Sequence, residues 1–145
     1  MEISKANHAR GPVPRPRRKN ILIADDDPDI HGLVGPALRR EGYRVIALPS
    51  GAALMDHLGT VLLESRRAWP DLIITDFCMP GFTGIEVLAG LRRADWSVPI
   101  VVITAIDDLH VSEQAHKHGA TAFLRKPFTP SALVGIVHGI VRAQS

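Results

Sequence analysis

The sequence predicts an α/β fold in which five strands alternate with five helices, giving a doubly wound parallel sheet covered on both faces. Three observations predict it. Short apolar runs recur along the chain, too brief for buried helices. The stretches between them place apolar residues at i, i+3, i+4 and i+7, the spacing of an amphipathic helix. Finally, 145 residues with 46% hydrophobic and 22% charged side chains suit one domain with a single core.

The elements follow in order. Ile21-Leu22-Ile23-Ala24 is a buried strand that ends in three acids. Ile30, Leu33, Val34, Ala37 and Leu38 repeat at helical spacing as far as Gly42, a suitable helix end. Pro36 lies inside that pattern with Gly32 and Gly35 nearby, so a kink or a broken helix is expected. Tyr43 to Leu48 reads as the second strand. Ser50 then caps a helix through Leu54, Leu58, Val61 and Leu62. Leu72 to Thr75 forms the third strand, ending at Asp76, and Ile85, Val87, Leu88 and Leu91 mark the third helix. Ile100 to Ile103 is the fourth strand, ending at Thr104, and residues 107–118 read as a polar helix before Gly119. Ala122-Phe123-Leu124 is the fifth strand. Thr129-Pro130 supplies an N-cap and a first-turn proline for a last helix lined by Leu133, Val134, Val137, Ile140 and Val141.

Charge is unevenly spread. Residues 1–19 carry Lys5, Arg10, Arg15, Arg17, Arg18 and Lys19 against Glu2, with Pro12, Pro14 and Pro16 among them. They read as a basic, proline-rich, disordered tail, and residues 20–145 as the folded domain. The overall charge of +2 therefore hides a folded part of net −3. No clustered basic face is evident there, so nucleic acid is not expected as a partner of this chain. No apolar run approaches the roughly 20 residues needed to span a membrane, and no membrane partner is expected. The single cysteine, Cys78, permits no internal disulfide and fits a cytoplasmic protein.

The chemistry collects where the strands end. In an open parallel sheet, ligands bind outside the carboxyl ends of the strands. Strand one is followed by Asp25-Asp26-Asp27, strand three ends in Asp76, strand four in Thr104, and strand five is followed by Lys126-Pro127. Crowded carboxylates need a cation to join them, and oxygen ligands without a His/Cys cluster suit Mg²⁺. A carboxylate can also act as a nucleophile and form an aspartyl-phosphate. Asp27 or Asp29, by contrast, reads as the start of the first helix.

These residues resemble the receiver domains of two-component response regulators. The resemblance covers roughly residues 20–143 and rests on Ile-Leu-Ile-Ala-Asp-Asp-Asp-Pro-Asp (21–29), Pro-Asp-Leu-Ile-Ile-Thr-Asp-Phe-Cys-Met-Pro-Gly (70–81), Val-Val-Ile-Thr-Ala (101–105) and Lys-Pro-Phe (126–128). It implies a flavodoxin-like (βα)5 fold with Asp76 as phosphoryl acceptor. It further implies Mg²⁺ on Asp25, Asp26, Asp76 and the backbone carbonyl of Cys78, with Lys126 and Thr104 on the phosphoryl oxygens. The Lys126–Pro127 bond would be cis. Thr104 and Phe123, the aromatic three residues before the lysine, would form a switch acting on the face made by the fourth helix, fifth strand and fifth helix. Phenylalanine lacks the hydroxyl of the tyrosine also found there, so its inward state costs less desolvation.

The implied partners are a histidine kinase or histidine phosphotransfer protein and a downstream protein at that face, and the resemblance allows a phosphorylation-dependent homodimer. Such a domain assists its own phosphorylation and dephosphorylation rather than turning over a substrate. A receiver fragment of a larger DNA-binding transcriptional regulator is the alternative reading. An aspartyl-phosphatase would want a second acid two residues beyond Asp76, where Cys78 stands. The stretch from Ser50 to Pro70 is longer than the resemblance leads one to expect, placing extra length in the second helix or the loop after it.

Overall fold

The computed structural model describes residues 18–61, 63–64, 68–79, 83–94, 96–105 and 109–144. The expected disordered tail therefore falls almost wholly outside the described residues, and so does Leu62. The strands are β1 (Asn20–Ala24), β2 (Arg44–Leu48), β3 (Leu72–Asp76), β4 (Ile100–Thr104) and β5 (Ala122–Arg125). The helices are α1 (Pro28–Arg40), α2 (Gly51–Val61), α3 (Gly84–Arg93), α4 (Leu109–Lys117) and α5 (Pro130–Ala143). The strands form one parallel sheet in the order β2-β1-β3-β4-β5.

Burial explains why the strands read as unbroken apolar runs. Every residue of β1, β3 and β4 is buried, because helices cover both faces of the sheet centre. On one face Leu54 and Leu58 of α2, Val87 and Leu88 of α3 and Ala115 of α4 pack on Leu22, Ile73 and Val102. On the other, Val34 and Leu38 of α1 and Leu133 and Val137 of α5 pack on Ile21, Ile23, Ile74 and Ile103. The alternation of strand side chains between two faces feeds both layers from the same strands.

The helix ends are largely those expected. Asp27 caps α1, its side chain accepting from the Asp29 N–H, and Gly42 closes the helix at φ +94°. Ser50 Oγ accepts from the Ala53 N–H at 3.0 Å at the start of α2, and Thr129 accepts from Ala132 ahead of Pro130 in α5. Two details differ. Pro36 does not break α1, which runs through it as one helix. Proline withdraws its N–H from the Gly32 carbonyl and its ring crowds that turn. Here Gly32 and Pro36 are both exposed, so the freed carbonyl faces water, and Gly32 adds no side chain to the crowding. His118 lies in the turn after α4 rather than on the helix. The helix capped by Ser50, α2, is described as far as Val61, where the Trp69 indole N–H donates to the Val61 carbonyl at 3.1 Å.

Candidate functional site

Parallel pairing aligns the strand ends, so β1, β3 and β4 deliver their terminal residues to one edge of the sheet. Asp25 follows β1 and is fully buried, whereas Asp26 beside it is exposed. Asp76 ends β3 and Thr104 ends β4, both buried. Lys126 follows β5, anchored through its backbone N–H, which donates to the Thr104 carbonyl at 2.7 Å. The next bond, Lys126–Pro127, is cis.

Lys126 reaches across the edge to two carboxylates. Its Nζ donates to Asp76 Oδ2 at 3.0 Å and lies 3.0 Å from Asp25 Oδ2. The contact to Asp25 is an ion pair without hydrogen-bond alignment, which leaves that buried oxygen without a hydrogen-bond partner. The other carboxylate oxygens are fixed by backbone. Asp25 Oδ1 accepts from the Asp27 N–H at 2.9 Å, and Asp76 Oδ1 accepts from the Cys78 N–H at 3.1 Å. The Cys78 residue itself is exposed.

One ligand oxygen from each of Asp25, Asp26 and Asp76 can be chosen so that all lie within 4.8 Å of one another. Three acids so close, with one lysine among them, leave an excess of negative charge. Asp25 feels it: burial pushes its carboxyl above the usual aspartate range, with the charge of Asp76 adding to the shift. The Asp27 N–H and Lys126 only partly offset this. Burial also works against the Lys126 charge, but its hydrogen bond to Asp76 and its attraction to both Asp76 and Asp25 outweigh it and hold its ammonium above the ordinary lysine value.

The structure thus gathers Asp25, Asp26, Asp76 and Lys126, and sets Thr104 at the end of the strand beside Asp76. Phe123 lies in β5, partly buried against the core layer of α2, α3 and α4. Two contributors were not legible in the sequence. His31, on α1, places its Nε2 2.7 Å from the Asp25 carbonyl oxygen and so braces the β1–α1 turn. Gly84 opens α3 where a Cβ would stand 2.7 Å from the Asp76 carbonyl oxygen and 2.9 Å from the Phe77 Cα. No periodicity marks such a close approach.

Comparison with known proteins agrees with this fold. The response regulator receiver domain family matches residues 21–138. The DNA-binding response regulator MtrA of Mycolicibacterium smegmatis is 36% identical over 125 residues, covering 86% of this chain and 51% of that protein. The C4-dicarboxylate transport transcriptional regulatory protein DctD of Pseudomonas aeruginosa is 31% identical over 125 residues, covering 86% of this chain and 26% of that one. The chain therefore spans about half the length of the first relative and about a quarter of the second. Among solved structures, a CheY-like receiver domain protein from Methanospirillum hungatei superposes with a TM-score of 0.76 at 25% identity, covering 88% of this chain and 96% of that one. The signal receiver domain of NarL from Mycobacterium tuberculosis gives 0.75 at 28% identity, covering 88% and 98%.

Proposed function

The chain belongs to the receiver domain family of two-component response regulators, and on that premise we propose that Asp76 is the residue that accepts the phosphoryl group. The observation that carries the reading is the Asp76 carboxylate itself, buried, held through both oxygens, and paired with Lys126 beside two further acids. An Asp76 oxygen attacks the phosphorus of a phosphohistidine on a histidine kinase or phosphotransfer protein. The P–N bond breaks, its electron pair returns to the imidazole, and an acyl phosphate remains on the aspartate. Most of the catalysis in such a transfer is positioning and charge stabilisation.

The donor set fits Mg²⁺. It is all oxygen, it is anionic, and a buried oxygen of Asp25 has no hydrogen bond to satisfy it. Asp25, Asp26, Asp76 and the backbone carbonyl of Cys78 would hold the ion. When bound, it offsets negative charge on the transferring group. The chain's own groups do the remainder. The Cys78 N–H fixes the orientation of the Asp76 carboxylate, and His31 and the Asp27 N–H fix Asp25. Lys126, now shared between two carboxylates, is placed to follow the phosphoryl oxygens, and the Thr104 hydroxyl is to donate to them.

The signal would then pass through Thr104 and Phe123 to the face of α4, β5 and α5, where a downstream protein or a second copy docks. The domain assists its own phosphorylation and dephosphorylation and acts as a switch rather than as a turnover enzyme. Cytoplasmic placement agrees with the kinase as donor, and no described helix is long and apolar enough to cross a membrane. The longer DNA-binding relatives favour one second reading, in which this receiver controls an attached DNA-binding segment. The length of the native gene product separates the two.

The test is phosphorylation by a small phosphodonor with Mg²⁺, read by intact mass. One phosphoryl group is expected on the wild type and none on Asp76→Asn. Label persisting in Asp76→Asn, or label indifferent to Mg²⁺, would remove the assignment.

A further inference from the structure

Asp25 is anchored at several points besides its contact with Lys126. Its backbone N–H donates to the Leu48 carbonyl at 3.1 Å. Its Oδ1 accepts from the Asp27 N–H at 2.9 Å. Its backbone carbonyl accepts from His31 Nε2 at 2.7 Å. The first two contacts belong to the backbone course: one extends the pairing of β1 with β2, and the other is the turn that leads into α1. The third comes from a side chain, so a substitution removes it without altering the backbone groups. His31 lies one turn into α1, where helical side chains lean back toward the N-terminus. From there the imidazole reaches back to the residue that follows β1.

The tautomer follows from the partner. A carbonyl oxygen only accepts, so Nε2 carries the hydrogen. The other ring nitrogen, Nδ1, is buried and has no hydrogen-bond partner. A buried polar atom left unsatisfied is a cost to the fold. An aliphatic side chain at position 31 would avoid that cost and would lose the bond to Asp25. The bond matters because of where Asp25 stands. Its carboxyl group is fully buried beside Asp76, and burial and the Asp76 charge both work against its ionised form. A turn free to relax would carry Asp25 away from Asp76, and the cluster would have to be reassembled around each incoming cation. Anchors on both the carboxylate and the backbone oppose that relaxation, so the repulsion is kept in place for a cation to relieve.

We propose, on the reading of Asp25, Asp26 and Asp76 as the metal site, that His31 is a positioning residue for Mg²⁺. By holding the Asp25 carbonyl it keeps the three carboxylates gathered before the ion arrives, and so raises the affinity for the ion. It acts through Asp25 and is not itself a ligand. Groups that orient a metal ligand from behind typically govern affinity by about ten- to a hundredfold. The useful property of His31 is one donor at one place, which makes the role separable from ring packing. A glutamine amide puts a donor nitrogen near the position of Nε2. Asparagine puts one near the position of Nδ1, short of the carbonyl, and leucine supplies none.

The experiment is a calorimetric titration of the full chain with Mg²⁺, without phosphodonor, on the wild type, His31→Leu, His31→Gln and Asp25→Asn. His31→Leu is expected to bind the ion about tenfold more weakly, and His31→Gln to stay close to the wild type. Melting temperatures in chelator and at one fixed Mg²⁺ concentration separate positioning from a plain loss of stability. The increment that the ion adds should shrink in His31→Leu and return in His31→Gln. If His31→Leu does not fold, His31→Asn gives the same comparison. Wild-type affinity for Mg²⁺ in His31→Leu or His31→Asn, whatever their stability in chelator, would overturn the role of His31. So would a loss in His31→Gln as large as that in His31→Leu. Asp25→Asn distinguishes the two levels of failure. It should lose most of the Mg²⁺ binding; if it binds the ion as the wild type does, the metal site itself is refuted and the role of His31 falls with it.

Discussion

At Lys126 one ammonium serves two carboxylates, and the balance among the three groups bears on stability. Removing the lysine leaves buried Asp25 and Asp76 facing each other with no counter-charge. Breaking a fully buried pair costs about 3–5 kcal/mol; Lys126 retains some exposure, so Lys126→Ala should cost about 2 kcal/mol. Mg²⁺ should restore more stability to that variant than to the wild type, because the ion replaces the missing cation. Urea unfolding with and without Mg²⁺ checks both statements, and a variant as stable as the wild type without the metal would contradict the first.

Asp25 acts in the opposite sense. Its carboxyl is held above the usual aspartate range by burial first, with Asp76 adding. A raised folded pKa means that the native state keeps the proton to higher pH than the unfolded chain does. The stabilisation from Asp25 is thus complete below the unfolded value and is lost as pH rises through the folded one. At neutral pH the ionised group is a liability to the metal-free fold. Asp25→Asn should therefore stabilise the metal-free protein at pH 7, the advantage shrinking on acidification, while Mg²⁺-dependent phosphorylation falls. A pH series of denaturant midpoints in chelator measures the first effect.

The helix that matters most to the site is α3, although it contributes no acid. Its capping box, Thr83 with Glu86, satisfies the first-turn N–H groups, and the Gly84 N–H donates to the Phe77 carbonyl at 2.8 Å. The helix start is thereby pressed onto the chain just after Asp76. Backbone atoms form the opposing wall, so an added methyl group cannot be accommodated by a rotamer change. Gly84→Ala should cost about 1–3 kcal/mol as overpacking and slow phosphorylation, since the loop that carries the Cys78 N–H must shift. Thermal unfolding and phosphodonor kinetics test it; a neutral substitution would show that the loop yields freely. The continuous course of α1 through Pro36 makes the complementary point. A residue read as a helix breaker is tolerated where the backbone group it frees faces water.

Over the whole molecule, the site sits at one edge of the sheet while the proposed output face runs along α4, β5 and α5. Phe123 lies between the two, since its strand ends at Arg125, just before Lys126, and its ring packs on the core layer of α2, α3 and α4. If that ring reports the state of Asp76, Phe123→Ala should alter the ratio of partner affinities between phosphorylated and unphosphorylated forms. The phosphorylation rate should change less. Equal partner affinity in both states of both proteins, measured by calorimetry or a pull-down with the cognate partner, would dismiss Phe123 as a relay.

The sequence alone determined the alternation of strands and helices and the residues that terminate each strand. Both follow from local rules: apolar runs, helical spacing and capping residues act within a few positions. Asp25, Asp26, Asp76, Thr104 and Lys126 were legible as a set because parallel strands must present their ends together. The tertiary structure decided how those residues share charge, with Lys126 bound to two acids at once and Asp25 left with a carboxylate oxygen that no hydrogen bond satisfies. It also decided that His31 braces Asp25 and that Gly84 admits α3 against the Asp76 backbone. These are contacts between atoms distant in the chain, set by how close the packed elements come, and no periodicity encodes that distance.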